Sequence, residues 1–367
     1  MRSGLATAVA SARVLVCVGT GGVGKTTTSA VIAMQAARLG RTALVLTIDP
    51  ARRLATSLGV DRIPDEPTCL GRTPAGGELW AAMLDMKSAF DGIVERYAPD
   101  AASRDRLLAN RFYRFFSTSL AGAQELAASE RLFELAASGQ FDLVVLDTPP
   151  ASNAADFFDA PRRFYEALDT AAFHWLVGAT SAVARRSLRL GIGTGFVTRT
   201  IARFTGTQFL EELSEFLTHM SGLFEGFKHR TFETARLLAS SETSFVVVTS
   251  TDPRVVDEAL DFARRLQGQQ LHLGGVVINR VRPTMPDRVD AGELKAALGR
   301  VATADLVDRL IANAREVDEL GQQDNACIRT MSSTLGDAVP VIPVPFYGRD
   351  VHTLDVLEGM RRDIFGG

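Results

Sequence analysis

Short apolar runs punctuate the chain at Val14–Val18, Thr42 to Ile48, Leu143 to Leu146, Phe245 to Val248 and Gly275 to Ile278. They are rich in β-branched residues, lack polar alternation and end in turn or polar residues, which predicts strands buried on both faces. Further strands are expected over Leu79 to Leu84 and Val339 to Val344. Between the runs the apolar spacing turns helical, as in Val31, Met34 and Ala37, then from Arg254 to Leu266, over Asp287 to Leu335 and after Phe346. Buried strands alternating with helices predict an α/β fold with a mostly parallel sheet covered on both faces.

Two long segments interrupt this alternation. From Lys87 to Gln140, and again from Ala154 to Ser240, helical spacing dominates and no strand is signalled. They are expected as an α-helical insertion subdomain, at about 87–140 and 154–240, within a single domain over 13–367. Residues 1–12 read as a flexible tail, because their apolar region is too short for a secretion signal. The stretch with Pro64, Pro67, Pro74 and Gly76-Gly77 reads as a polar loop.

The first run leads into Gly19-Thr20-Gly21-Gly22-Val23-Gly24-Lys25-Thr26-Thr27, and a helix follows. Strand, glycine loop, Lys-Thr and helix form the phosphate-cradling P-loop arrangement, so the fold class is expected to be a P-loop NTPase. The glycines let backbone N–H groups of Gly21, Gly22, Val23, Gly24, Lys25, Thr26 and Thr27 close around phosphate oxygens, and the helix start adds partial positive charge. Lys25 supplies a mobile charge for the β- and γ-phosphates, and the Thr26 hydroxyl is placed to ligate magnesium. The only other lysines are Lys87, Lys228 and Lys295, so a lysine at this position is a selective choice.

Composition narrows the partners. The chain of 367 residues is 46% hydrophobic and 23% charged, with net charge -3, which is ordinary for a globular protein and gives no electrostatic case for nucleic acid. Cys17, Cys69 and Cys327 are scattered. They offer no CxxC pair, so neither zinc nor an iron–sulfur cluster is expected. No apolar run is long enough to predict a membrane span. The protein is expected to be cytoplasmic, with a peripheral position at the inner membrane face as an option.

Two carboxylates end apolar runs, where ligands of open α/β sheets gather. Asp147 follows Leu143-Val144-Val145-Leu146 in the manner of a Walker B carboxylate, which holds magnesium directly or through water. Asp49 precedes Pro50-Ala51-Arg52-Arg53 and is placed to orient the attacking water. Lys25 and Asp49 are therefore the expected catalytic pair, with ATP or ADP and magnesium as cofactors.

The glycine loop, Leu46-Thr47-Ile48-Asp49-Pro50-Ala51 and Leu146-Asp147-Thr148-Pro149-Pro150 together resemble the deviant-Walker P-loop ATPases, and most closely their ArsA/Get branch. That branch comprises the arsenite-pump ATPase and the guided-entry ATPases that deliver tail-anchored membrane proteins. The resemblance implies an ATP-hydrolysing dimer with nucleotide at the subunit interface, handling an apolar client, a membrane protein or a membrane transport partner. It implies that Asp49-Pro50-Ala51 is switch I, that Asp147 to Asn153 is switch II, and that Asn279 and the backbone around Pro345-Phe346 contact adenine.

This chain departs from the family pattern. The signature lysine two places after the first loop glycine is Thr20 here, and the zinc-clamping cysteine pair and arsenite-binding cysteine triad are absent. In relatives that lysine crosses to the partner's nucleotide. The layout resembles actinobacterial members, which look like one half of a heteromeric pair, so a lysine-bearing paralogous ATPase is the expected dimer partner. Between Asp169 and Glu211 no carboxylate occurs, while Arg185, Arg186, Arg189, Arg199 and Arg203 share the segment with apolar residues. A basic amphipathic segment over 171–208 reads as a client or membrane contact, or as an arginine-studded face packed on the core. Two other readings stay open: a partition or division-site positioning ATPase, and a weakly active nucleotide-binding regulatory subunit.

Overall fold

The structure, a computed structural model, describes residues 3–48, 53–119, 123–148, 207–284, 291–299, 303–348 and 353–366. The chain divides into two compact units, one of Met1–Met83, Gly139–Ala154 and Ala239–Gly367, the other of Leu84–Ser138 and Ala155–Leu238.

The first unit is built on eight strands: β1 (Val14–Val18), β2 (Thr42–Thr47), β3 (Thr68–Arg72), β4 (Glu78–Met83), β5 (Leu143–Asp147), β6 (Thr243–Thr249), β7 (Leu273–Val281) and β8 (Val341–Pro345). Their order in the sheet is β3-β4-β2-β5-β1-β6-β7-β8. Every pairing is parallel except β3 with β4. The helices among its described residues are α1 (Ser3–Ser11), α2 (Lys25–Arg38) and α3 (Arg53–Leu58), and later α9 (Pro253–Gly268), α10 (Ala291–Leu298), α11 (Ala304–Leu335) and α12 (Leu354–Phe365).

The chain leaves β1 through α2 toward one edge of the sheet, whereas β6, β7 and β8 step toward the other. Right-handed crossovers then place α2 on one face and α9 and α11 on the opposite one. Leu15 and Cys17 of β1, Val45 of β2 and Val145 of β5 pack with Val31 and Ile32 of α2 in one core, which Leu357 and Met360 of α12 complete. The alternate residues Val16, Leu44 and Leu146 are equally inaccessible. This burial on both faces accounts for the unbroken apolar runs.

Two expectations are corrected here. Residues 3–11, expected as part of a flexible tail, form a helix that buries Leu5, Ala8 and Val9 in the core. At nine residues the helix is too short to show a clear period, and Gly4 lets it approach the sheet closely, a Cβ there standing 3.1 Å from Pro340 and 3.2 Å from Gly274 O. Residues 68–72, expected as loop, form the edge strand β3, four of whose five residues are exposed. A strand that buries no face leaves no apolar period to detect.

The second unit contains α4 (Met86–Tyr97), α5 (Ala101–Ala109), α6 (Arg111–Ser119), α7 (Ala123–Ala137) and α8, which starts here and runs Thr207–Ala239. Asp85 and Asp100 cap α4 and α5 by accepting from the N–H of Ser88 and Ser103. Asn110 turns the chain into α6, its Oδ1 accepting from Phe112 N and its Nδ2 donating to Glu212 O at 2.9 Å. Phe90 stacks edge-on against Phe116, and Phe112 against Phe209, each with ring centroids 5.1 Å apart. The buried carboxylate of Glu130 is shared by two arginines, Arg96 and Arg230, both 2.9 Å from Oε1.

Candidate active site

β1 sits where the strand order reverses direction, between β5 and β6, and the glycine loop leaves its carboxyl end. A crevice at such a switch point is where open α/β sheets bind ligands. The glycine loop and Asp147 meet there, the ends of β1, β2 and β5 being brought to one edge by the parallel register Cys17↔Asp147 and Thr47↔Asp147.

The loop enters α2 through Gly24, the N-cap, whose φ of 98° suits glycine. No side chain caps this helix. The first-turn N–H groups that capping side chains occupy in other helices thus face the loop, as anion binding requires. Gly22 also has positive φ, 78°, but has open space where a side chain would stand. Lys25 is 6% exposed, and its Nζ donates to the Thr20 carbonyl at 2.8 Å. The ammonium is thereby folded back over the loop that it serves. Thr28 Oγ1 donates to Gly24 O at 2.9 Å and Ser29 Oγ to Lys25 O at 3.0 Å, fastening the first turn. Thr26 and Thr27 remain half-exposed. Under the loop, burial pushes the Cys17 thiol up to about 12.

Asp147 ends β5 and is 1% exposed. Its Oδ2 accepts from Thr47 Oγ1 of β2 at 2.9 Å. The next residue, Thr148, donates its hydroxyl to Cys17 O at 2.8 Å, so the ends of β1, β2 and β5 are tied together by side chains. Thr47 and Thr148 stood in the sequence motifs without a role of their own, and the strand pairing gives each a hydrogen-bond partner.

At the far side, Asn279 of β7 donates its Nδ2 to Val23 O at 2.9 Å. The amide expected at the base therefore lies against the glycine loop. Pro345 ends β8, and Phe346 is 56% exposed while its N–H donates to Val281 O at 2.9 Å. The β7 and β8 ends are thus adjacent, as one base-binding rim would need. Asp49, Pro50 and Ala51 of the expected first switch, residues 149–153 of the expected second switch, and 171–206 of the expected basic segment lie outside the described residues.

The donor set fits magnesium. Thr26 and Asp147 offer hard oxygen ligands, and among the described residues no cluster of three or more His, Cys, Asp or Glu makes a protein-only cage. A nucleotide-borne magnesium ion needs only one or two protein oxygens and takes the rest from phosphates and water.

Among the described residues, no helix is long and apolar enough to cross a membrane. Comparison with known proteins agrees with the geometry. The family model of anion-transporting ATPases matches residues 12–299. An uncharacterised protein of Streptomyces coelicolor is 35% identical over 158 residues, which is 42% of this chain and 39% of that protein. ATPase GET3 of Malassezia globosa is 28% identical over 152 residues, covering 41% of this chain and 43% of the relative. ATPase ARSA1 of Chlamydomonas reinhardtii is 25% identical over 320 residues, 76% of this chain and 38% of its own length. The matches thus span about two fifths of those relatives. With the family model covering most of the chain, this protein belongs to the anion-transporting ATPase (ArsA) family.

Proposed function

We propose that the chain hydrolyses ATP as one half of a dimer and couples the cycle to an apolar client, a membrane protein or a membrane transport partner. The observation that carries the catalytic part is the buried Lys25 folded over an uncapped helix start, beside the strand end that presents Asp147. Loop amides bind the phosphates, and Lys25 exchanges the Thr20 carbonyl for a phosphate oxygen when ATP enters. Thr26 and Asp147 hold magnesium, which neutralises charge on the phosphates when bound. Asp49 orients the attacking water. Asn279, Pro345 and Phe346 form the rim beside the base.

The ArsA/Get resemblance supports the dimer and the apolar client. Thr20, in place of the signature lysine, supports a lysine-bearing paralogue as the partner. A cation delivered across an interface accelerates phosphoryl transfer by about 10³–10⁵ where an arginine supplies it. A homodimer of this chain has only Thr20 hydroxyls to offer there. The basic segment over 171–208 is the proposed client or membrane contact, at the cytoplasmic face.

Steady-state ATPase assays test the scheme. Lys25→Ala should abolish nucleotide binding, and Asp49→Asn should bind ATP but not turn it over. The pure chain should be slow, and both the paralogue and Thr20→Lys should accelerate it. Fast turnover by the pure chain, unchanged by Thr20→Lys, would exclude the heterodimer; near-normal turnover by Asp49→Asn would remove Asp49 from the mechanism.

A further inference from the structure

Asn279 uses both ends of its side-chain amide. Nδ2 donates to the Val23 carbonyl at 2.9 Å, and Oδ1 accepts from the Arg280 N–H, also at 2.9 Å. The fit on the loop side is close: a Cβ placed on Gly24 would stand 2.2 Å from Nδ2. On the strand side Arg280 has φ 61°, a left-handed conformation uncommon for a residue other than glycine. Two residues further on, Arg282 N–H donates at 2.8 Å to Asp324, which is 3% exposed. The carboxyl end of β7 is therefore held at Asn279 and again at Arg282, which keeps Asn279 against the loop.

The contact has a consequence for the loop amides. In a planar trans peptide the C=O and N–H point to opposite sides. Holding the Val23 carbonyl on Asn279 turns the Gly24 N–H away from Asn279, and Gly24 is the N-cap of α2. A loop that cradles phosphate needs its N–H groups converging on one side. A free carbonyl at Val23 would let that peptide rotate and put an oxygen where an anion needs a donor.

We propose that Asn279 is a positioning residue for the phosphate loop, acting through the Val23 carbonyl on the amide of Gly24. This role is separate from any contact with the base, and it rests on the reading of the loop as the ATP phosphate site. It predicts that phosphate binding weakens when the Nδ2 donor is lost, whether or not a base is attached.

The test uses the full chain with Asn279→Leu, which keeps about the same size and removes the donor without adding charge, and Asn279→Ser, which removes the reach. Affinities for ATP, GTP and inorganic tripolyphosphate are measured by calorimetry with magnesium present. Backbone amide exchange over residues 22–25 is measured without ligand. All three affinities should fall by a common factor of about 10, the cost of one lost hydrogen bond to a buried acceptor, with the ATP-to-GTP ratio unchanged. Loop amides should exchange faster while those of β1 and β5 do not change. A loss confined to ATP, with tripolyphosphate binding intact, would assign Asn279 to the base alone and overturn the proposal. Unchanged loop exchange in both variants would overturn it whatever the affinities do. A wild-type chain that binds none of the three ligands would instead refute the ATP-site reading, and faster loop exchange in the variants would then still establish the clamp.

Discussion

Thr47 and Asp147 stand 100 residues apart in sequence, and a buried hydrogen bond of 2.9 Å joins them at the carboxyl ends of neighbouring strands. Thr47 ends β2 two residues before Asp49, and Asp147 ends β5, so one contact fixes these two strand ends relative to each other. Thr47→Val keeps the shape and removes the donor. It should cost about 1.5–3 kcal/mol of stability, the range for a hydrogen bond to a charged group, and slow ATP turnover. Urea denaturation together with an ATPase assay checks this; a variant as stable as wild type would mean that the carboxylate does not depend on Thr47.

Gly22 and Gly24 should respond differently to alanine. Both have positive φ, but only Gly24 faces a side chain, the Asn279 amide 2.2 Å from its would-be Cβ. Gly22→Ala should cost about 1 kcal/mol through backbone strain alone and retain weakened ATP binding. Gly24→Ala should abolish ATP binding, because either the loop or Asn279 must move. Equal effects in a binding titration would contradict this steric account.

Cys17 makes the protein sensitive to alkali. Burial raises its thiol from an ordinary 9.0 to about 12. Between those values the folded chain keeps the proton while the unfolded chain releases it. Stability contributed by Cys17 is thus complete below pH 9 and lost as pH rises toward 12, at up to about 1.4 kcal/mol per pH unit. Cys17→Ala should flatten the decline in stability between pH 9 and about 10.5. Iodoacetamide at about pH 8, below the ordinary thiol range, should label the exposed Cys69 and spare Cys17. Rapid labelling of native Cys17 would show that the thiol is not buried as described.

In the helical unit, Glu130 joins Arg96 of α4 and Arg230 of α8 to α7. Burial pushes its carboxyl up in spite of the two guanidiniums, so desolvation exceeds the attraction of the pair. The charge itself therefore contributes little, and shape and hydrogen bonding contribute more. Glu130→Gln should cost about 1 kcal/mol, whereas Glu130→Ala, which strands two partly exposed arginines and leaves a void, should cost about 2–3 kcal/mol. Chemical denaturation of both variants decides it; a Gln variant as damaged as the Ala variant would make the charge essential.

The phosphate loop, the buried strands and the α/β class were legible in the sequence because each is a local property. Strand burial writes itself as an unbroken apolar run such as Val14–Val18, and the loop needs glycine, lysine and threonine at fixed spacing. Tertiary structure alone decided the rest. β3 pairs antiparallel at an edge with most of its side chains in solvent, so no period marks it. α1 is built of small residues whose burial depends on the sheet they meet. Asn279 read as a polar residue at a strand end, and nothing local could assign its amide to a carbonyl 256 residues earlier. Parallel strands bring distant segments into register at one edge of the sheet, and a hydrogen bond formed there depends on that register and not on neighbours in the chain.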